Sequence, residues 1–151
     1  MNSIFNSTFE ISLRVLLILE DSNESLYSSD MLAAIDFMAV YGQDFGVSDS
    51  NMHGNNLFKY SEFATRRELT KEATKNLVLK GLISVNCNEN GFTYTITTTG
   101  TQYCASLKSD YANSYREMII KVNRYIKDMS EKNILSLINE HSIRSLRKGG
   151  N

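Results

Sequence analysis

The sequence predicts a mostly α-helical protein with one small β-hairpin, arranged as a winged helix-turn-helix-like domain with a C-terminal helical extension. Apolar residues recur at helical spacing in five segments. Residues 83–96, "ISVNCNENGFTYTI", alternate around an Asn-Gly pair as hairpins do. We expect residues 1–100 to form the winged-helix-like part, with an inserted loop at 42–60. Residues 101–151 should pack on it, so that the chain forms a single compact domain.

The first two helices are predicted from their caps and apolar spacing. Thr8 is a candidate N-cap for a helix that ends near residues 21–23. Ser28 or Ser29 caps a second helix, "DMLAAIDFMAVYG". Asp36 lies among apolar neighbours in that helix. It can be a functional carboxylate, but the favoured interpretation is that it caps a helix or pairs with an arginine inside the fold.

The third helix is predicted from Ser61 or Thr65 to Lys80, where Gly81 takes the usual C-terminal glycine position. Its buried stripe consists of Leu69, Ala73 and Leu77, which recur at helical spacing.

A basic row occupies the opposite flank of this helix. Arg67, Lys71 and Lys75 recur every four residues with Thr74 beside them, while the neighbouring Glu68 and Glu72 partly neutralise the row. The row can be a solvated face, a DNA contact or a contact with a protein partner. The sequence leaves these three interpretations open.

The hairpin prediction includes a register. Asn90-Gly91 suits a two-residue type I′ turn, because both positions require positive φ. Alternate residues of the two strands then share one face. The predicted pairs are Glu89 with Phe92, Cys87 with Tyr94, and Val85 with Ile96.

Two helices are predicted after the hairpin. Thr98 or Thr99 caps one that runs from about residue 101 to residue 129, and Ser130 starts the last. The basic tail at 144–148 is expected to fray.

The Gly/Asn-rich segment at 42–60 is longer than the usual helix–helix connection. Long ordered loops in compact domains are often binding elements, so His53 and Asn55 are candidate contact residues. For His53 the simpler interpretation is a hydrogen bond to the loop backbone.

Composition restricts the classes of function. The chain has 151 residues, is 42% hydrophobic and has a net charge of −1, with 16 basic against 17 acidic residues. Tight autonomous DNA binding is disfavoured, because phosphate neutralisation normally requires a basic excess. The sequence predicts neither a membrane span nor a secretory signal. Cys87 and Cys104 are expected to be buried thiols of a cytoplasmic protein.

No catalytic or metal-binding motif is recognisable in the sequence. HExxH, CxxC, GxSxG and glycine-rich phosphate loops are absent, and the two histidines lie far apart. We therefore expect no enzymatic activity, no cofactor and no metal.

Several stretches together resemble the middle component of bacterial ABC-three-component conflict systems, which include the small subunit of Lamassu-type antiphage systems. The resemblance covers roughly residues 6–127, and in relatives the loop often reads Leu-His-Pro where this chain has Met52-His53-Gly54. The stretches that carry it are "FEISLRVLLIL", "AAIDFMAVYG", "NMHGNN", "SEFATRRELTKEATKNLVLKGLI", "GFTYTITTTGTQYC" and "SLKSDYANSYRE".

The resemblance implies a role rather than a reaction. Such systems contain an SMC-like or ABC-type ATPase, a toxic effector such as a nuclease, and a small middle component that couples the two. Contact with DNA inside the complex is left open, and neither a membrane nor a small-molecule substrate is implied. The alternative is a winged-helix transcription regulator, with Arg67, Lys71, Thr74 and Lys75 on a recognition helix and Asn90 at a phosphate-contacting hairpin tip.

Overall fold

The computed structural model describes residues 7–22, 25–54, 59–89 and 91–149. Within them the chain forms six α-helices, one short 3₁₀ helix at Gly42–Phe45 and one two-stranded antiparallel sheet. The mostly helical class with a small hairpin is therefore confirmed. The elements are α1 (Thr8–Glu20), α2 (Ser29–Val40), α3 (Lys59–Leu79), β1 (Ile83–Asn88), β2 (Gly91–Ile96), α4 (Thr98–Ala105), α5 (Asp110–Ile126) and α6 (Glu131–Gly149).

Serine and threonine N-caps set most of the helix starts. The side chains of Ser7, Ser28, Thr97 and Ser109 each accept a hydrogen bond from the backbone N–H three residues ahead. Ser28 agrees with the sequence prediction. The observed caps of α1 and α4, Ser7 and Thr97, each lie one residue before the first predicted cap position, Thr8 and Thr98.

The predicted hairpin register is wrong by two residues. Val85 lies opposite Tyr94, and Asn88 lies opposite Gly91, which has φ +111°. The cause is a long-range contact: the Tyr94 N–H donates to the Tyr27 carbonyl at 2.9 Å. In the predicted register that N–H would point towards β1, because an antiparallel ladder alternates inward- and outward-facing pairs. Because the register is shifted by an even number of residues, the side chains predicted to lie on one face of the hairpin still share that face.

The predicted helix at 101–129 is two helices, α4 and α5. Ser109 caps the start of α5, and Arg116 stabilises the break between them. Its guanidinium donates to the carbonyl oxygens of Cys104 at 2.7 Å and Leu107 at 2.6 Å, and to Glu20 of α1 at 3.1 Å. Carbonyl groups at the end of a helix need such partners, and one arginine supplies them here.

Two further boundaries differ from the predictions. Helix α3 begins at Lys59, before the predicted Ser61 or Thr65, and ends at Leu79 ahead of Gly81, whose φ is +75°. Helix α6 extends to Gly149, so the segment predicted to fray is helical.

The core lies between α1, α2 and the helices that pack around them. Every residue of α2 from 31 to 40 is buried, as are eight further apolar positions of α1 and α3. Helix α3 packs against both α1 and α2. Its buried face therefore differs from the predicted stripe: Ala73 and Leu77 are buried but Leu69 is only half-buried. Arg66, Thr70 and Thr74 are buried as well.

Candidate functional site

Four helices meet at a buried charge cluster around Asp36. Arg14 of α1 donates from Nε to Asp36 Oδ1 at 2.7 Å, and Arg66 of α3 donates from Nη1 to Oδ2 at 3.0 Å. The hydroxyl of Tyr115 in α5 donates to Oδ1 at 2.6 Å. The predicted pairing of Asp36 with an arginine inside the fold is thus confirmed, with two arginines instead of one.

The cluster keeps its charges although it is buried. Burial alone would raise the pKa of Asp36, but the neighbouring charges of Arg14 and Arg66 lower it to about 2. Burial and the adjacent carboxylate raise the pKa of Tyr115 well above its ordinary value. Asp36 is therefore a carboxylate and Tyr115 a neutral donor at physiological pH.

Aromatic rings support the second arginine of the cluster. The Arg66 guanidinium lies 5.5 Å from the ring centroid of Tyr41 and 6.0 Å from that of Phe37. Within the described residues its Nε and Nη2 have no hydrogen-bond partner. A ring face attracts a desolvated cation, which partly offsets the missing hydrogen bonds.

His53 connects the long loop to this cluster. Its Nε2 shares a hydrogen bond of 2.6 Å with the hydroxyl of Tyr111, whose ring stacks on Tyr115 at 6.3 Å between centroids. Burial and the charge of Arg14 lower the pKa of His53 to about 4, so the imidazole is neutral. The sequence suggested either a contact residue or a bond to the loop backbone, and the structure shows a long-range bond to Tyr111 of α5.

A second set of contacts holds the loop near its start. Asp44 accepts from Lys59 at 2.6 Å, Tyr60 at 3.0 Å and Asn51 at 3.2 Å. The main chain returns towards α2, where Met52 N donates to Val40 O at 2.9 Å. These contacts hold the loop against α2 and the start of α3, and His53 lies in the part of the loop that they hold.

The predicted basic row on α3 is partly exposed and partly paired. Lys71 and Lys75 are exposed, whereas Arg67 is half-buried and bonds to Asp30 of α2 at 3.0 Å. Lys71 lies 3.4 Å from Glu68. The prediction that Thr74 belongs to this surface is wrong: Thr74 is 1% exposed, because α1 and α2 both pack against α3.

The remaining predicted contact residues, Asn55 and Asn90, lie outside the described residues. One face of the hairpin next to Asn90 is exposed and apolar. Phe92 is 60% exposed and Val85 44% exposed, and both lie on the same face as Cys87. The expectation that Cys87 is buried is therefore wrong, because the hairpin extends beyond the core.

Cys104 is buried as expected, and burial raises the pKa of its thiol to about 12. Among the described His, Cys, Asp and Glu side chains, no group of three is close enough together to hold a metal ion. None of the described helices is both long and apolar enough to cross a membrane.

Sequence reasoning missed the two arginines of the buried cluster. Arg14 is the only charged residue within the apolar run 11–19. Arg66 lies seven residues before Ala73 and eleven before Leu77, on the same helical stripe. Both arginines occupy core-facing positions, where a charged residue is rare unless it is paired. Together with Asp36 in an apolar helix, this was the signal that could have identified the cluster.

Fold and surfaces together define a small, mostly helical protein with one hairpin, a docked loop and a buried charge cluster that joins four helices. The family model for the ABC-three component (ABC-3C) system Middle Component 2 matches residues 4–148. The chain belongs to this family, as the sequence resemblance indicated. No curated protein and no solved structure matches the chain significantly.

Proposed function

We propose that this middle component is a non-catalytic adaptor that couples an SMC- or ABC-type ATPase to a toxic effector, such as a nuclease, in a Lamassu-type antiphage complex. The observation that carries the proposal is the family match over nearly the whole chain. The family name describes a system with further components, and a middle component has to contact them. We further propose that the protein acts in the cytoplasm and uses no cofactor.

The arrangement of elements supports a winged-helix-like scaffold for this adaptor. Helix α3 leads directly into the β1–β2 hairpin, and α1, α2 and α3 pack together. In this proposal the hairpin is the wing, and α4 to α6 form the extension. The wing favours protein over nucleic acid, because Glu89 is the only charged residue between 81 and 100.

We place one partner contact on the outer face of α3 and the docked loop. Lys71 and Lys75 project from α3, and Arg67 lies beside them next to Asp30. A partner with an acidic surface fits this side of the molecule.

The alternative is a DNA-binding regulator that uses the same helix. The two exposed lysines favour it, but exposed Glu68 and Glu72 lie in the same face, and Thr74 is buried. We therefore predict only non-specific binding of the isolated protein to duplex DNA, with a Kd of about 10⁻⁴ to 10⁻⁶ M at physiological salt. A nanomolar, sequence-selective complex in a mobility-shift assay would favour the regulator instead.

The adaptor proposal is tested by reversing the charge of the α3 row. Arg67→Glu, Lys71→Glu and Lys75→Glu together should leave the fold intact, because the row includes no fully buried residue and its ion pairs are surface pairs worth about 0–1 kcal/mol. The triple variant should lose co-purification with the ATPase encoded beside it, and should lose phage protection. Circular dichroism checks that the variant is folded.

A matched control carries the same change in charge elsewhere. Lys121, Arg124 and Lys127 are exposed at the C-terminal end of α5 and just beyond it. Their triple reversal to glutamate should assemble and protect normally. If the α3 variant is folded and equally active, the row is only a solvated face. If the wild-type chain associates with no component encoded beside it, the adaptor proposal is wrong.

A further inference from the structure

The two edges of the hairpin differ in how they are covered. On the β2 edge, the N–H of Tyr94 donates to the carbonyl of Tyr27, so the segment before α2 pairs with this strand. On the β1 edge, no described residue pairs with the main chain of Val85 or Cys87. Within the part of the chain that the structure describes, one edge of the sheet is therefore covered and the other is open.

The register shows which backbone groups point outward from the open edge. Tyr94 donates away from β1, so its partner Val85 belongs to a pair that exchanges no hydrogen bonds across the ladder. The N–H and C=O groups of Val85 consequently point away from β2. Alternation along the strand places those of Cys87 on the same side, two residues further.

The open strand lacks the features by which proteins normally block an edge. Residues 83–88, "ISVNCN", contain no charged residue and no proline. All of β1 except Ile83 is exposed, and exposed Phe92 lies opposite Cys87 on the neighbouring strand. Such a strand offers main-chain hydrogen bonds together with an apolar face.

We propose that the β1 edge is a docking site for an extended segment of the ATPase component, which adds to the hairpin as a third strand. The inference rests on the proposed adaptor function and identifies one of its contact surfaces. Main-chain pairing would supply affinity, and the face formed by Val85, Cys87 and Phe92 would select the side chains. Because that face is uncharged, the segment is uncharged and rich in β-branched or aromatic residues.

Nucleic acid does not fit this surface. Between residues 81 and 100 the chain has no lysine, arginine or histidine, and its one charge, Glu89, is negative. Binding to phosphate requires neutralising cations or directed N–H donors with a favourable field. The two outward N–H groups instead alternate with carbonyl oxygens, which is the pattern that a β-strand recognises.

Amide hydrogen exchange by NMR tests the proposal on the full chain, free and in complex with the co-expressed ATPase component. In the free protein the amides of Val85 and Cys87 should exchange rapidly, and in the complex both should gain protection. The amide of Tyr94 is the internal control, because it already donates to Tyr27 and should be protected in both states. A complex that forms without protecting Val85 and Cys87 overturns the proposal while leaving the adaptor function intact.

Val85→Pro supplies an independent test. Proline removes the outward N–H but no bond of the β1–β2 ladder, and edge strands tolerate proline at such positions. Binding to the ATPase component should weaken about tenfold or more, since a hydrogen bond is lost and the ring blocks close approach. Val85→Thr, which keeps the N–H, should bind within about twofold of wild type, as expected for a change that leaves the hydrogen bond in place.

Size-exclusion chromatography with light scattering tests whether a second copy of the chain occupies the edge instead. A wild-type dimer that becomes monomeric on Val85→Pro would show that the edge binds a second copy of the chain, and would overturn the proposal. If Val85→Pro does not fold, the exchange experiment on the wild-type complex alone decides. Failure of the wild-type chain to bind the ATPase component refutes the adaptor function instead, so the two failures are distinguishable.

Discussion

Replacing Asp36 with alanine should be among the most destabilising single changes in the protein. The carboxylate is the shared counter-ion of Arg14 and Arg66, which are only 1% and 2% exposed, so water cannot take its place. Removing one partner of a buried ion pair costs about 3–5 kcal/mol. Since two cations and the Tyr115 hydroxyl lose their acceptor together, we place Asp36→Ala at the upper end, about 5 kcal/mol. That loss is comparable to the whole stability of a marginal domain.

Urea denaturation followed by circular dichroism measures this loss as a shift in the midpoint. The matched control is Asp30→Asn, which removes the acidic partner from the half-buried surface pair with Arg67 and should cost about 0–1 kcal/mol. Asp36→Asn keeps the shape of the side chain but not its charge, and should lie between the two. An Asp36→Ala variant no less stable than Asp30→Asn would refute the claim that this cluster stabilises the junction of the four helices.

The ionisation of Asp36 also determines how the stability of the protein depends on pH. The pKa of Asp36 is about 2 in the folded chain and 3.8 ordinarily, so its contribution is fully present above pH 3.8. It is lost as the pH falls towards 2, and amounts to about 2–3 kcal/mol at about 1.4 kcal/mol per pKa unit. Asp36→Asn should remove this part of the pH dependence.

Two further substitutions test particular contacts. Gly100→Ala would place a Cβ 2.1 Å from the carbonyl oxygen of Leu82, so a loss of stability of about 2–3 kcal/mol is expected. Thr101→Ala, at the exposed neighbouring position, should be nearly neutral, and urea denaturation measures both changes. For His53 the folded pKa of about 4 lies below its ordinary 6.5, so stability should fall as the pH drops from 6.5 to 4. His53→Gln should flatten that part of the pH–stability curve more than His141→Gln, and an equal effect would argue against the buried position of His53.

Local chemistry allowed much of the fold to be predicted from the sequence. Capping side chains and apolar spacing located α1, α2 and the start of α6 within a residue or two. Asp36 in an apolar helix indicated a buried partner, because an isolated charge cannot remain ionised there. The order of weak motifs was enough to identify the family.

The wrong predictions depended on contacts between distant parts of the chain. The hairpin register is set by Tyr27, which lies 67 residues before Tyr94 and outside the local turn signal. Thr74 is buried because two helices pack on α3, and the sequence of α3 alone indicates only one buried stripe. The break before Ser109 is supported by Arg116 seven residues later. In each case a tertiary contact outweighed a local preference.

Reconstitution of the complex from its separately purified components tests the central claim most directly. Native mass spectrometry would be recorded on the ATPase and effector components with and without this chain. The adaptor account predicts one assembly that contains all three proteins, and no stable ATPase–effector complex when this chain is omitted. An ATPase–effector complex of unchanged affinity in its absence, or a chain that binds neither protein, would contradict the account.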